Sequence, residues 1–293
     1  MSAVAVISPA KLNLFLAVTG RRADGYHDLL SLVAPLDWGD RLEASPAADF
    51  TLECSDPAVP VDGTNLVLRA ARLFRERTGW TGGAHFVLEK RIPMGAGLGG
   101  GSSNGGAALR LLNQLADEPL DAEELLQLAA DVGSDCPLFL AGGPCLMRGR
   151  GDRVEVLPSA TADRLRGRAV LLFKPSFGVA TGPAYARLAR AAPGSYLPEA
   201  EAEARLAAWL DQPDRPTEEL LFNSFEPAIF SKFVALPALL AELREQHGVQ
   251  AAMSGSGSAC FALLSGPAAG EALEVVIREA WGSSALVVAT RLA

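Results

Sequence analysis

The sequence is poor in cysteine, histidine and lysine, and it has no long apolar run. Its four cysteines, Cys54, Cys136, Cys145 and Cys260, stand far apart in 293 residues. Together with only three histidines, His27, His85 and His247, they form no metal-ligand spacing. A reduced cytoplasm is the expected compartment, and a disulfide or zinc site would need a fold that brings distant residues together. No segment offers eighteen consecutive uncharged apolar residues, so a membrane span is not expected. The opening MSAVAVISPAKLNLFLAVTG lacks the basic start and small-residue cleavage pattern of a signal peptide, and Pro9 and Lys11 interrupt its apolar run. A formal charge of -8 gives no general attraction for nucleic acid or an anionic membrane, while leaving room for an anionic small molecule in a local site.

What is present fits a soluble globular chain. Hydrophobic residues make up 49% and charged residues 20%, far from a disordered composition. The length allows a sizeable core and lies near the size at which cores divide in two. AVAVISP and LNLFLAV read as strands broken by Pro9, and DRLEASPAADFTLEC as two strands around a turn. From Asn65, NLVLRAARLFRERTG carries Leu66, Ala70, Leu73 and Phe74 at helical spacing and stops at Gly79. GAHFVLEKRIP reads as a strand reaching Pro93, followed by helices at AALRLLNQLA and DAEELLQLAADVG and two strands in GGPCLMRGRGDRVEVLP. A second set of alternating strands and helices begins at Gly167 and suits a small α+β sandwich. The boundary is expected between 158 and 168, giving domains of 1–163 and 164–293.

The stretch PMGAGLGGGSSNGG, from Pro93 to Gly106, leaves a strand and enters a helix at about Ser103, with Ser102 or Ser103 as its cap. Glycines let such a backbone curl closely, and the first N–H groups of a helix lack intrahelical acceptors, which makes a cradle for phosphate. A flexible strand-to-helix turn is the plainer reading. No lysine occurs between Lys90 and Lys174, so the loop is not of the Walker type, and no βαβ unit precedes it as a dinucleotide fold requires. Positive charge must then come from elsewhere. Lys11 and Asn13 share one side of an extended apolar segment, which suits either polar groups aimed into a cleft or the solvated face of an edge strand. Asp135, in DVGSDCPLFL, suits either a helix cap or a carboxylate that takes a hydroxyl proton beside a phosphoryl group.

PAKLNLFLAVTGRRADGYHDLLSLV, IPMGAGLGGGSSNGGAALRLLN, VGSDCPLFLAGG and MSGSGSACFAL together resemble the 4-diphosphocytidyl-2-C-methyl-D-erythritol kinases nearly end to end. Those enzymes belong to the galactokinase, homoserine kinase, mevalonate kinase and phosphomevalonate kinase (GHMP) superfamily. The glycine loop alone resembles the whole superfamily; ADGYH close behind PAKLNL is the more specific mark. The resemblance implies a two-domain α+β fold, with an N-terminal ribosomal-protein-S5-like domain, a C-terminal ferredoxin-like α/β sandwich, and substrates meeting between them. It implies ATP with Mg2+ and a cytidyl diphosphate substrate, with no nucleic-acid or membrane partner, in a cytoplasmic monomer or weak homodimer.

By the same resemblance Lys11 and Asp135 are the catalytic pair, and Asn13, Tyr26, His27, Thr181 and Tyr185 face the substrate. Pro93, Met94, Gly95, Ala96, Gly97, Leu98, Gly99, Gly100, Gly101, Ser102 and Ser103, with Asn65, hold the nucleotide. Two features depart from the pattern. Asn104, Gly105 and Gly106 stand where many relatives have Asp-Ala-Ala, removing a charge and weakening the helix start, and Cys136 stands where valine is common. The metal ligands stay open. Other classes compatible with a glycine loop are a superfamily kinase for a homoserine or mevalonate-type acceptor, a nucleotide-dependent oxidoreductase, which would need the missing Rossmann unit, and a non-catalytic nucleotide-binding module.

Overall fold

The computed structural model describes residues 3–293, apart from the side chains of 267 and 268. In chain order the elements are β1 (Val4–Arg21), β2 (His27–Ala47), β3 (Thr51–Cys54), α1 (Leu66–Thr78), β4 (Gly83–Glu89), α2 (Gly100–Leu115), α3 (Ala122–Val132), β5 (Cys145–Gly149), β6 (Arg153–Val156), α4 (Ser159–Ala162) and β7 (Ala169–Lys174). They continue as α5 (Thr181–Arg190), α6 (Glu199–Leu210), β8 (Phe222–Asn223), α7 (Glu226–Phe230), α8 (Ala235–His247), β9 (Ala251–Met253), β10 (Cys260–Leu263), α9 (Pro267–Trp281) and β11 (Leu286–Arg291). Among the described residues no helix is long and apolar enough to cross a membrane. The chain divides into two compact units that interleave in sequence. Unit 1 holds 3–10, 38–94 and 99–142, and unit 2 holds 11–37, 95–98 and 143–293.

In unit 1, β4 pairs antiparallel with β2 from Arg41↔Glu89 to Ala47↔Gly83 and parallel with β3. Helices α1, α2 and α3 cover the sheet through a core that includes Leu42, Phe74, Phe86, Leu109 and Leu112. Burial of each phenylalanine contributes about 1.5–3 kcal/mol. Asn65 caps α1 by accepting from Val67 N–H at 2.9 Å, and Gly79 ends it at φ 68°, as the spacing predicts. Asp121 and Glu124 close a capping box on α3. Three expectations need correction. Pro9 does not break β1, because Gly39 on β2 lies against it: a Cβ at Gly39 would stand 2.1 Å from Ser8 O and 2.6 Å from Pro9 Cα. The strand before the glycine loop stops at Glu89, short of Pro93. Helix α2 starts at Gly100 with Gly99 at its N-cap, so Ser102 and Ser103 sit inside its first turn and do not cap it.

In unit 2, β1 and β2 continue as neighbours, with β8 parallel to β1 at Phe15↔Phe222 and β5 antiparallel to β2 from Leu29↔Gly149 to Val33↔Cys145. A second, antiparallel sheet has the order β11-β7-β10-β9, and its core, with Phe173, Phe225, Leu239, Leu243 and Ile277, is covered by α5, α7, α8 and α9. The elements expected from Gly167 onward are present. Helix α5 was not expected: its TGPAYARLAR pattern is broken by Gly182 and Pro183, which a first helical turn accommodates.

Candidate active site

Lys11 and Asn13 lie on β1 in unit 2, each only 6% exposed, which excludes the solvated-face reading. The Lys11 ammonium donates to Asn13 Oδ1 and, at 2.8 Å, to Gly97 O. Asn13 is fixed in turn: its Nδ2 donates to Ser31 Oγ at 2.9 Å, and its N–H to Ser254 Oγ at 3.3 Å. The Ser31 hydroxyl donates to Phe15 O at 2.6 Å. The charge is thus held on a chain of buried polar groups.

The glycine loop is shaped by alternation. Gly95, Gly97 and Gly99 take φ of 63°, 77° and 72°, a region that L side chains avoid, while Ala96 and Leu98 between them are buried. Gly97 has the strictest requirement, since a Cβ there would stand 2.1 Å from Ser254 O. Each carbonyl from 95 to 98 turns into the fold: Gly95 O accepts from Val179 N–H, Ala96 O from Ala259 N–H, Gly97 O from Lys11 and Ser254, and Leu98 O from Lys11 N–H. Among the described residues, no N–H group from 95 to 99 donates a hydrogen bond. A loop with its carbonyls turned inward and its amides unengaged has the chemistry to take up an anion. Met94 is half exposed and Pro93 partly buried on the strand side of this loop.

SGSGSACF supplies the support beneath the loop. Gly255 (φ 57°) approaches so closely that a Cβ would stand 2.9 Å from Gly97 O and 3.3 Å from Lys11 Nζ. Asn223 Nδ2 pins this turn by donating to Met253 O at 2.7 Å and Gly255 O at 2.8 Å. Asn223, Ser31 and Ser254 were not expected from sequence; the S-G-S-G-S pattern pointed at the turn but not at the residues that hold it.

Asp135 lies in unit 1 in the turn after α3, partly exposed. It is not a cap, for α3 ends on Gly133 and the following single turn begins after Cys136 without a side-chain cap. Cys136 links this carboxylate to the helix start. Its thiol hydrogen-bonds with Ser102, and burial, helped by the Asp135 charge, pushes it up to about 12, so it stays protonated and unreactive. Gly105 and Gly106 make this approach possible: a Cβ at Gly105 would press to 3.2 Å on Val132 and 3.3 Å on Cys136 Sγ, and one at Gly106 to 3.3 Å on Cys136 O. Asn65 uses its amide at both ends, on Val67 N–H and on Pro60 O.

Tyr26 sits at the tip of a turn in unit 2, 59% exposed, with the Arg150 guanidinium 5.1 Å from its ring centre. The turn is firmly built: Arg22 N–H donates to Tyr26 O at 2.8 Å, Tyr26 N–H to Asp24 at 3.1 Å, and Arg22 bridges Asp24 and Asp28. His27 opens β2. Its ring stacks on Tyr185 at 4.8 Å, and its Nε2 is buried with no hydrogen-bond partner among the described residues. Burial and the nearby Arg21 lower its pKa below 6.5, favouring the neutral ring. Thr181 shares a hydrogen bond with Ser256 at 3.1 Å, and Tyr185, one turn further along α5, also meets Phe225 edge-on at 4.8 Å.

Residues 65–143 match the family model described as GHMP kinases N terminal domain, and 207–283 match GHMP kinases C terminal. The chain is 40% identical over 273 residues to the 4-diphosphocytidyl-2-C-methyl-D-erythritol kinase of Synechococcus sp. (strain CC9605), covering 89% of this chain and 88% of that one. It is 38% identical over 263 residues to the enzyme of the same name from Protochlamydia amoebophila (strain UWE25), covering 90% and 85%. A crystal structure of 4-(cytidine 5'-diphospho)-2C-methyl-D-erythritol kinase superposes with a TM-score of 0.78 at 35% identity, over 99% of this chain and 100% of that one. The Methanococcus jannaschii mevalonate kinase reaches 0.76 at only 14% identity, a likeness of fold alone.

Proposed function

From the premise that this chain belongs to the 4-diphosphocytidyl-2-C-methyl-D-erythritol kinases of the GHMP superfamily, we propose how its residues divide the work. The reaction is the ATP-dependent phosphorylation of 4-diphosphocytidyl-2-C-methyl-D-erythritol, a step in isoprenoid precursor synthesis by the non-mevalonate route. The acceptor is the 2-hydroxyl and the site of action is the cytoplasm. The two family domains are 1–163 and 164–293.

Asp135 takes the hydroxyl proton as the oxygen attacks the γ-phosphorus; the bond from that phosphorus to the bridging oxygen breaks, and ADP leaves with the electron pair. Lys11, held by Asn13 Oδ1 and Gly97 O, supplies positive charge to the transferring group. Asn13 orients the ammonium through its amide oxygen and offers its remaining N–H to substrate. Residues 93–103 cradle the ATP phosphates, and Asn65 borders the nucleotide. ATP carries a Mg2+ ion that screens the phosphate charge when bound. Among the described residues no group of three or more His, Cys, Asp or Glu side chains could hold a metal. Tyr26 stacks on the cytosine, and His27, its ring held against Tyr185 with Nε2 buried, meets the base edge through its backbone groups; Thr181 and Tyr185 complete the substrate side.

The observation that carries this reading is the glycine loop, whose carbonyls are all engaged inward while its amides are not. Gly101→Val tests it. A Cβ at that position has only Leu66 nearby, at 3.9 Å, so the variant folds, but its branched side chain obstructs a bound phosphate. Calorimetry with a non-hydrolysable ATP analogue is expected to show binding weakened at least tenfold, by roughly 1.4 kcal/mol or more. Unchanged affinity in the folded variant would move the phosphate site elsewhere.

A further inference from the structure

Asp40 has no part in the roles above, yet it is fully buried in unit 1 and its two oxygens accept four hydrogen bonds. Oδ1 takes the N–H groups of Arg91 at 2.7 Å and Ile92 at 2.8 Å. Oδ2 takes the Lys90 ammonium at 2.6 Å and Asn104 Nδ2 at 2.8 Å. The same groups reach further: Lys90 donates to Ile92 O at 2.6 Å, Asn104 to Ser8 Oγ at 2.8 Å, and the Ser8 hydroxyl to Ser103 Oγ at 2.8 Å. Gly100 packs on this cluster, where a Cβ would stand 3.0 Å from Ile92 Cγ2 and 3.1 Å from Lys90 Nζ.

The order of these residues in the chain is what matters. Arg91 and Ile92 stand immediately before the glycine loop and Asn104 immediately after it, so one carboxylate ties the loop's entry to its exit. A buried ion pair is a poor device for stability alone, because desolvation offsets most of its attraction and an apolar pair of the same volume does as well. It is a good device for fixing geometry, since removing any partner leaves a buried polar group unsatisfied. We infer that Asp40, with Lys90 and Asn104, forms a clamp of positioning residues that sets the separation of the two ends of the phosphate loop and so aims its amides at one anion. The clamp also accounts for the amide at position 104, since a carboxylate there would face Asp40 directly. The inference rests on the reading of residues 93–103 as the phosphate cradle.

The test uses the full-length enzyme. Asn104→Ala frees the exit of the loop while leaving Asp40 three partners, and Asp40→Asn removes the charge. Steady-state kinetics with each substrate varied, with thermal unfolding alongside, give the readout. A folded Asn104→Ala is expected to raise KM for ATP about tenfold or more while the cytidyl substrate's KM stays within about twofold, with a larger effect in Asp40→Asn. The double variant Asp40→Asn/Asn104→Asp restores a donor and an acceptor across the pair and recovers part of the ATP KM. An ATP KM within about twofold of wild type in folded Asn104→Ala overturns the clamp, as does an equal rise in both KM values or a double variant no better than Asp40→Asn. If Gly101→Val, folded, keeps its ATP affinity, the cradle reading itself falls and takes the clamp with it. If Gly101→Val loses ATP while Asn104→Ala does not, only the clamp falls.

Discussion

The cluster around Asp40 and the turn that carries Tyr26 and His27 differ in how much of their polar chemistry is engaged before any ligand arrives. Both oxygens of Asp40 are occupied, Ser8 is bonded to Ser103 and to Asn104, and all of these groups are buried. At the turn the backbone is equally well tied, but Tyr26 presents an exposed ring and His27 Nε2 has no partner among the described residues. The first arrangement fixes the backbone on either side of a loop whose amides are unengaged. The second fixes a backbone that presents one aromatic ring to solvent beside a histidine packed against Tyr185. Phosphate is the same in every nucleotide, so a rigid backbone suits its recognition, whereas selection between bases needs donors and acceptors that are not already engaged.

The comparison breaks hardest at the chemistry that both regions serve. Lys11→Met keeps the stem and deletes the charge, and Asp135→Asn keeps the shape and deletes the base; each is expected to lower kcat by roughly 10²-fold or more in a protein that still folds. Near-normal turnover in either purified variant would leave that residue without its role. Next in size, Tyr26→Ala is expected to remove roughly 1–3 kcal/mol of base contact, about tenfold to a hundredfold in affinity for the cytidyl substrate, with ATP binding nearly constant. Competition binding against the uridine analogue measures this. Equal wild-type affinity for both bases, with no loss in the alanine variant, would return the acceptor to another small molecule of the superfamily.

The smallest expected effect is a pH step. Because His27 is held below its ordinary value of 6.5, the neutral ring persists in the fold when an unfolded chain would already be charged. Its contribution is therefore complete above 6.5 and is lost as pH falls through the lower, folded pKa. Stability, followed by thermal unfolding across pH, is expected to stay level above 6.5 and to fall only below it, and His27→Ala should abolish that step. A step of the same size and position in the alanine variant would assign it to another group.

Much of this was legible in the sequence because the signals were local. Asn65 and Gly79 bracket α1 by rules that act over one turn, and the glycine loop announces itself by composition. Lys11 and Asn13 were legible as sharing a side, but not as buried, since the groups that lie against them, Gly97, Ser254 and Gly255, come far later in the chain. Pro9 misled for the same reason: the residue that makes room for it is Gly39, on another strand. Asp40 gave no signal at all. Its meaning comes from Lys90, Arg91, Ile92 and Asn104, all at least fifty residues away, and no spacing rule connects them. Gly105 and Gly106, which read as weakening α2, earn their place through the close approach of Cys136.

Cys136 has a use beyond filling that space. It is fully buried, as are Cys145 and Cys260, whereas Cys54 is partly exposed. Burial pushes the thiols of Cys136 and Cys145 up to about 12 and that of Cys260 well above its ordinary value, so alkylating reagents meet almost no thiolate until the surrounding structure opens. Cys136 belongs to unit 1, and Cys145 and Cys260 to unit 2. The chain therefore carries its own set of clocks: the labelling rate at each cysteine, followed by mass spectrometry with Cys54 as the fast reference, times the opening of each unit separately.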